Sequence, residues 1–203
     1  QNPFTGSFYT NRPADIDLYV SLVRAMMEAF PSFSLLGSTS DFKSAYRQCT
    51  ANPDHASFWV LCTWSPVHNC QVFAVGAAQL FGCSLAPLNF CRIPDWCAFI
   101  SSRLFFVPFV HCIDDLMSVE PSHLAPSGNS SWRSLARCCG WNIPDEKSPP
   151  PSQVFRLLGA LIDLSPVPLS PPLVRLAEDR YWKMLNAFNV ILSAGSLGSA
   201  HAG

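Results

Sequence analysis

Two of the chain's 14 acidic residues stand side by side, Asp114-Asp115, directly after the apolar run Leu104 to Ile113 and before Leu116 and Met117. Adjacent like charges against an apolar segment are costly unless cations balance them, and a divalent ion is the natural compensator. If the flanking runs pair as a hairpin, both aspartates occupy its tip, where a carboxylate at the end of another strand can approach them. Asp41, near the end of the run Phe33 to Phe42, is that candidate. Three carboxylates around one cleft supply hard oxygen ligands for two Mg2+ ions. Such a pair activates an attacking hydroxyl and stabilises a leaving group in in-line phosphoryl transfer. An Asp-Asp pair also suits a plain turn, and the residues alone permit both readings.

The elements that would position these acids are legible from periodicity. Ile16, Tyr19, Val20, Val23, Met26, Met27 and Phe30 recur at helical spacing between Pro13 and Pro31, which predicts an amphipathic helix over Asp15 to Phe30. Phe33 to Phe42 reads as a strand leading to a short helix over Ser44 to Cys49, which leaves Asp41 at a strand end. Phe58 to Trp64 and Cys70 to Ala77 read as a hairpin around Ser65 to Asn69. Pro87 opens a helix through about Ser101, with Ser84 as its cap. Leu104 to Ile113 and Met117 to Glu120 form the hairpin that carries the acid pair. Ser130 or Ser131 caps a helix to Cys139 stopped by Gly140, and Asn142 to Pro151 is a polar, proline-rich connection. Val154 to Leu164 reads as one or two strands around Gly159. Ser170, Pro171 and Pro172 start a last helix carrying Leu173, Leu176, Ala177, Met184, Leu185, Phe188 and Leu192, ended by Gly195. Antiparallel strands mixed with helices predict an α+β fold, an antiparallel sheet with helices packed on one face.

Composition excludes several classes. At 203 residues, 49% apolar and 13% charged, the chain suits one compact domain rather than a disordered or coiled-coil one. A net charge of −1 provides no global positive field, so any nucleic-acid contact must be local. The apolar stretch Ala98 to Ile113 is broken by Ser101, Ser102, Arg103, Pro108 and His111 and is too short for a membrane span; it reads as core, and no membrane partner is expected. The 9 cysteines include no C-x-x-C pair, which argues against zinc, and their odd number in apolar runs suits buried reduced thiols of an intracellular protein, in cytoplasm or nucleus. The five histidines are scattered, with no nucleophile elbow, and no Walker phosphate loop occurs. The prolines at 149 to 151, 166, 168, 171 and 172 read as stiffeners of connections. Gln1 at the start and a Gly/Ala/Ser run at the end suggest a piece of something longer.

Five blocks follow one another between Asp41 and Gly159: Asp41-Phe42-Lys43-Ser44-Ala45-Tyr46-Arg47-Gln48; Leu80-Phe81-Gly82 with Pro87 and Phe90; Cys112-Ile113-Asp114-Asp115-Leu116; Gly140-Trp141-Asn142-Ile143-Pro144-Asp145-Glu146-Lys147; and Leu157-Leu158-Gly159. In that order they resemble the palm motifs of reverse transcriptases, most closely those of retroviruses and of retrotransposons with long terminal repeats or tyrosine recombinases. The resemblance implies an RNA-directed DNA polymerase that adds deoxynucleotides to a primer 3′ end.

Carried over residue by residue, the resemblance makes Asp41 and Asp114 ligands bridging two Mg2+ ions, with Mn2+ as a substitute. Asp115 is the neighbouring carboxylate, and Phe42 lends a backbone carbonyl. Tyr46 matches the aromatic gate that rejects a 2′-hydroxyl, and Phe81 and Gly82 would lie against the incoming nucleotide. Lys147 would protonate or steady departing pyrophosphate. Arg47, Cys112, Leu158 and Gly159 would meet primer or template; Cys112 stands where the family carries an aromatic residue. Implied partners are an RNA or DNA template, a DNA primer and deoxynucleoside triphosphates. The expected organisation is residues 1–32 as a remnant of fingers or a palm-leading helix, 33–165 as the palm, and 166–203 as the start of a thumb or connection helix. The rest of the fingers, the thumb and an RNase H segment would belong to the same polyprotein. Two other readings stand beside this one: an inactive retroelement relic serving as a non-enzymatic fold or interaction surface, and a palm-type RNA-dependent RNA polymerase, against which Tyr46 argues.

Overall fold

A computed structural model describes residues 14–80, 82 and 86–194. In chain order the elements are α1 (Ile16–Ala29), β1 (Leu35–Asp41), short 3-10 turns at Ala45–Gln48 and Pro53–Phe58, β2 (Val60–Ser65), β3 (Cys70–Val75), α2 (Ala86–Ile100) running into a π-turn at Ser101–Phe105, β4 (Phe109–Cys112), β5 (Asp115–Pro121), α3 (Ala125–Cys138), a 3-10 turn at Asp145–Lys147, β6 (Val154–Leu157), β7 (Ala160–Asp163), β8 (Leu173–Leu176) and α4 (Glu178–Ala194). The α+β class and its antiparallel sheets are as the element order predicts. Among the described residues no helix is long and apolar enough to cross a membrane.

The central sheet has the order β1-β5-β4, all antiparallel. Period-two alternation sends the side chains of β5 to two cores. On one face Leu116 meets Phe109, Trp132 of α3, and Phe90 of α2 in a cluster that also holds Phe42 and Tyr46. On the other, Met117 and Val119 pack with Leu35, with Tyr19 and Val23 of α1, and with Phe155 and Ile162 of the β6–β7 hairpin. Helices α2 and α3 thus cover one face, and α1 lies with the hairpin on the opposite one. Asp15 caps α1, its carboxylate accepting the Leu18 N–H at 2.8 Å. Gly37 of β1 is required by packing: a Cβ there would run into the Phe155 ring and the Tyr19 hydroxyl. Its N–H and carbonyl also pair with Ser152 at 2.9 Å, which joins β1 to the segment leading into β6.

Several expectations are corrected. The strand expected from Leu104 begins at Phe109, because α2 continues into the π-turn. Phe106 is then left-handed at φ 56°, and the Val107 N–H closes the turn on the Ser101 carbonyl at 3.2 Å. Consequently Phe99, Leu104, Phe105 and Phe106 are exposed and not core. Helix α3 starts at Ala125, ahead of the expected serine caps, with Pro126 supplying the preset φ of a first turn. Leu173–Leu176 is a strand, not the opening of the last helix, since it pairs with β7 from Asp163↔Leu173 to Ala160↔Leu176. The thiols divide: Cys91 and Cys97 are buried, whereas Cys62, Cys70, Cys138 and Cys139 are exposed. The Ser84 cap and the Gly195 stop lie outside the described residues.

Glu120 is an exception within the core. It is 5% exposed beside Gly128 of α3, its Oε1 has no hydrogen-bond partner, and burial pushes its carboxyl up to about 7. A carboxyl raised in the fold favours the neutral form, so its contribution to stability is complete below the ordinary glutamate value and fades as pH rises through about 7. Denaturant unfolding should show stability falling by about 3 kcal/mol between pH 5 and pH 8 on this account. Glu120→Gln should flatten that slope; a slope unchanged in the variant would assign the pH dependence elsewhere.

Candidate active site: a carboxylate cleft at the end of the central sheet

Two acids meet because of register, and a third stands in the adjoining turn. β1 delivers Asp41 at its end, and the ladder places Asp41 directly opposite Asp115. β4 and β5 are joined by the two-residue turn Ile113-Asp114, since Cys112 pairs with Asp115. Only Ile113 in that turn has positive φ, 57°, at a position where such a hairpin prefers glycine. A β-branched residue in the left-handed region costs on the order of 1–3 kcal/mol, the kind of strain that collects at functional sites. That turn holds Asp114 beside the Asp41/Asp115 pair.

The electrostatics follow from this crowding. Burial raises the Asp114 carboxyl, and the nearby Asp41 carboxylate adds to the rise; burial, Asp114 and Asp41 together raise Asp115. Lys147 opposes both shifts. Its ammonium donates to Asp41 Oδ2, and that bond raises the lysine's own pKa, so Lys147 stays charged. Asp41 Oδ1 is buried without a partner. A cleft of about 190 Å3 opens here, lined by Asp41, Asp115, Lys147, Arg156, Leu157 and Leu158 among others.

Long-range contacts brace the segment that carries Lys147. The Gln48 side chain accepts from the Asn142 N–H at 2.8 Å and donates to the Asn142 carbonyl at 3.0 Å and the Lys43 carbonyl at 2.7 Å. The Lys43 N–H reaches the same Asn142 carbonyl at 3.0 Å. Arg133 and Arg137 of α3 both hold Asp145, the latter at 2.8 Å, and lower its carboxyl below the usual range. Gln48, Asn142 and the two arginines therefore position Lys147. Sequence reasoning assigned them no such role, for nothing local connects residues 94 positions apart.

The remaining candidates distribute around the cleft. Tyr46 is buried, its ring edge-on to Phe90 at 5.5 Å, and its hydroxyl is raised by burial and then by Asp114, which puts the phenol within the field of the carboxylates. Phe42 is buried edge-on to Phe90 at 5.4 Å and to Trp141 at 6.4 Å. Cys112 is half-buried, its thiol raised by burial and by Asp115. Leu158 and Gly159 form the two-residue β6–β7 turn with φ of 49° and 85°, the positive pair that glycine accommodates at its second place. Leu158 reaches the carboxylate cleft, and with Gly159 it also borders a groove of about 450 Å3 against Arg180 and Lys183 of α4. Arg47 is exposed and forms no ion pair with a described residue. Gly82 has open space around its Cα, and Phe81 lies outside the described residues.

Whether a divalent ion fits depends on these donors. Carboxylate oxygens, one of them buried and unpartnered, suit a hard cation such as Mg2+. Among the described residues no three His, Cys, Asp or Glu side chains are already gathered as a chelating cluster, and Lys147 occupies the other Asp41 oxygen. The donor chemistry fits; an ion at Asp41 would compete with the ammonium.

No family model and no curated protein matches the chain. Among solved structures the fold is similar to that of the foamy viral protease-reverse transcriptase in complex with an RNA/DNA hybrid. The TM-score is 0.58 and the identity 16%, over 75% of this chain and 18% of that one. The chain thus spans less than a fifth of the length of that neighbour, and the likeness is one of fold alone.

Proposed function

We propose that this chain is the palm of a retroelement RNA-directed DNA polymerase, which extends a primer 3′ end with deoxynucleotides on an RNA or DNA template. The supporting observation is the pairing of Asp41 with Asp115 across the ladder, with Asp114 in the adjoining strained turn and Lys147 beside them. Asp41, Asp114 and Asp115 would hold two Mg2+ ions, with the Phe42 carbonyl as a further oxygen; bound there, the ions supply Lewis-acid activation of the 3′ hydroxyl and charge stabilisation on the leaving pyrophosphate. Burial and the crowding of like charges raise the Asp114 and Asp115 carboxyls, and a divalent cation would relieve that crowding. Lys147, held charged by Asp41, suits steadying anionic phosphate better than giving up its proton. Phe81 and Gly82 would meet the nucleotide; Arg47, Cys112, Leu158 and Gly159 would meet primer or template.

Tyr46 is assigned to sugar selection. Its ring is fixed by Phe90 and lies near Asp114, so a 2′-hydroxyl on a nucleotide at the carboxylates would meet a packed aromatic wall. Primer extension by the chain with deoxy- and ribonucleotides is the test. Tyr46→Val should raise the ribonucleotide share of kcat/KM about tenfold or more. An unchanged ratio removes the gate assignment.

A second reading has its own observation. Lys147 already neutralises Asp41, and no chelating cluster stands ready among the described residues, which suits an inactive relic that keeps the fold as an interaction surface. Mn2+ binding separates the two: saturable binding that Asp114→Asn abolishes supports the polymerase, and none supports the relic.

A further inference from the structure

The outer face of α2 carries a second concentration of chemistry, outside the residues that line the carboxylate cleft. Arg92, Trp96, Phe99 and Arg103 follow one another at spacings of four, three and four residues, which aligns them in one row along the helix and into the π-turn. All four are exposed, Trp96 at 44% and Phe99 at 60%, and Phe106 at the end of the turn is 84% exposed. The Arg103 guanidinium lies over the Phe99 ring, 5.6 Å from its centroid. Neither Arg92 nor Arg103 makes an ion pair with a described residue. Asp95, the acid beside the row, is engaged by His111 at 2.8 Å.

Aromatic rings left in water between uncompensated guanidinium groups are arranged for a ligand that has both π-faces and negative charge. The row is about 16 Å from Arg92 to Arg103 along the axis, room for several nucleotides of one strand. The exposed β2–β3 hairpin makes the contrast: its apolar residues Val60, Leu61, Trp64, Phe73 and Val75 come with no charged residue from Val60 to Val75, so nothing there selects an anion. In a chain of net charge −1 the α2 row is a local cationic and aromatic feature of the sort that strand binding needs.

We propose that the outer face of α2 and the turn after it bind single-stranded nucleic acid, bases stacking on Trp96, Phe99 and Phe106 and phosphates meeting Arg92 and Arg103. This binding does not depend on catalysis at the carboxylates. It is tested by fluorescence anisotropy of a labelled single-stranded oligothymidylate titrated with the whole chain across a salt series. Trp96→Ala and Phe99→Ala should each weaken binding about 5- to 150-fold. The double variant Arg92→Gln, Arg103→Gln should reduce the slope of log affinity against log salt by about 1.4. Thermal melts check that each variant is folded, and since Trp96 is 44% exposed its ring is kept by Trp96→Phe, which should retain most of the affinity that Trp96→Ala loses. Absent binding, or affinities within twofold of the unaltered chain in all variants, overturns the proposal. So does self-association of the chain that Trp96→Ala and Phe99→Ala disrupt without changing oligonucleotide affinity, which would make the face a contact between copies.

Discussion

Asp114→Asn is expected to lower primer extension about a thousandfold or more, a loss of about 4 kcal/mol of transition-state stabilisation, while leaving the fold as stable as before or more so. The two effects have one cause. Asp114 sits in a two-residue turn with its carboxyl raised by burial and by Asp41, so ionising it at neutral pH works against the folded state. An amide of the same shape removes that repulsion and also removes a ligand oxygen. The sign is fixed by the shift: a carboxyl raised in the fold loses its stabilising contribution as pH climbs past the ordinary aspartate value, so the variant gains most above that range. Thermal melts at pH 7, Mn2+ titration and primer extension together check the prediction. A variant that melts lower and keeps its Mn2+ affinity would mean that Asp114 serves the turn and not the cation.

The parts of this site differ in how visible they are in the sequence. Asp41 at a strand end and Asp114-Asp115 at a hairpin tip follow from local patterns: a strand length, a tight turn and an apolar run on either side. Register does not follow from them. The ladder that runs from Leu35 opposite Pro121 is what leaves Asp41 opposite Asp115, and a slip of one residue would turn Asp41 to the other face. Lys147 on Asp41 closes a separation of 106 residues through the Gln48–Asn142 clasp, which periodicity cannot detect. Elsewhere local signals misled. Leu173 and Leu176 are at helical spacing, yet they follow two prolines and an open β7 edge, and edge pairing decided the outcome. The run Ala98 to Ile113 has the composition of a core, but the wide turn that Val107 closes onto Ser101 turns Phe106 out to solvent. Apolar content alone does not say which side of a turn faces water.

Phe90→Ala should be the most damaging single change to stability that also reaches the proposed chemistry. Phe90 is 0% exposed on α2, and the rings of Phe42 and Tyr46 both stand edge-on to it, at 5.4 and 5.5 Å. One buried ring thus supports the residue next to Asp41 and the residue assigned to sugar selection. Deleting it costs the transfer of a large aromatic side chain, the cavity left behind and two edge-to-face contacts, about 3–5 kcal/mol in total, or a fall in Tm of about 6–20 °C for a chain of this size. Phe90→Leu keeps most of the volume and should cost about 1–2 kcal/mol, which leaves a folded protein to assay. In that variant Tyr46 loses the flat partner that defines its ring orientation, whereas the carboxylates keep theirs through the β1–β5 ladder. Ribonucleotide incorporation should therefore rise relative to deoxynucleotide incorporation while Mn2+ affinity stays the same. Equal loss of both would show that Phe90 supports the whole end of the sheet rather than the gate. A destabilised variant with unchanged sugar preference would show that Tyr46 is held by its other neighbours.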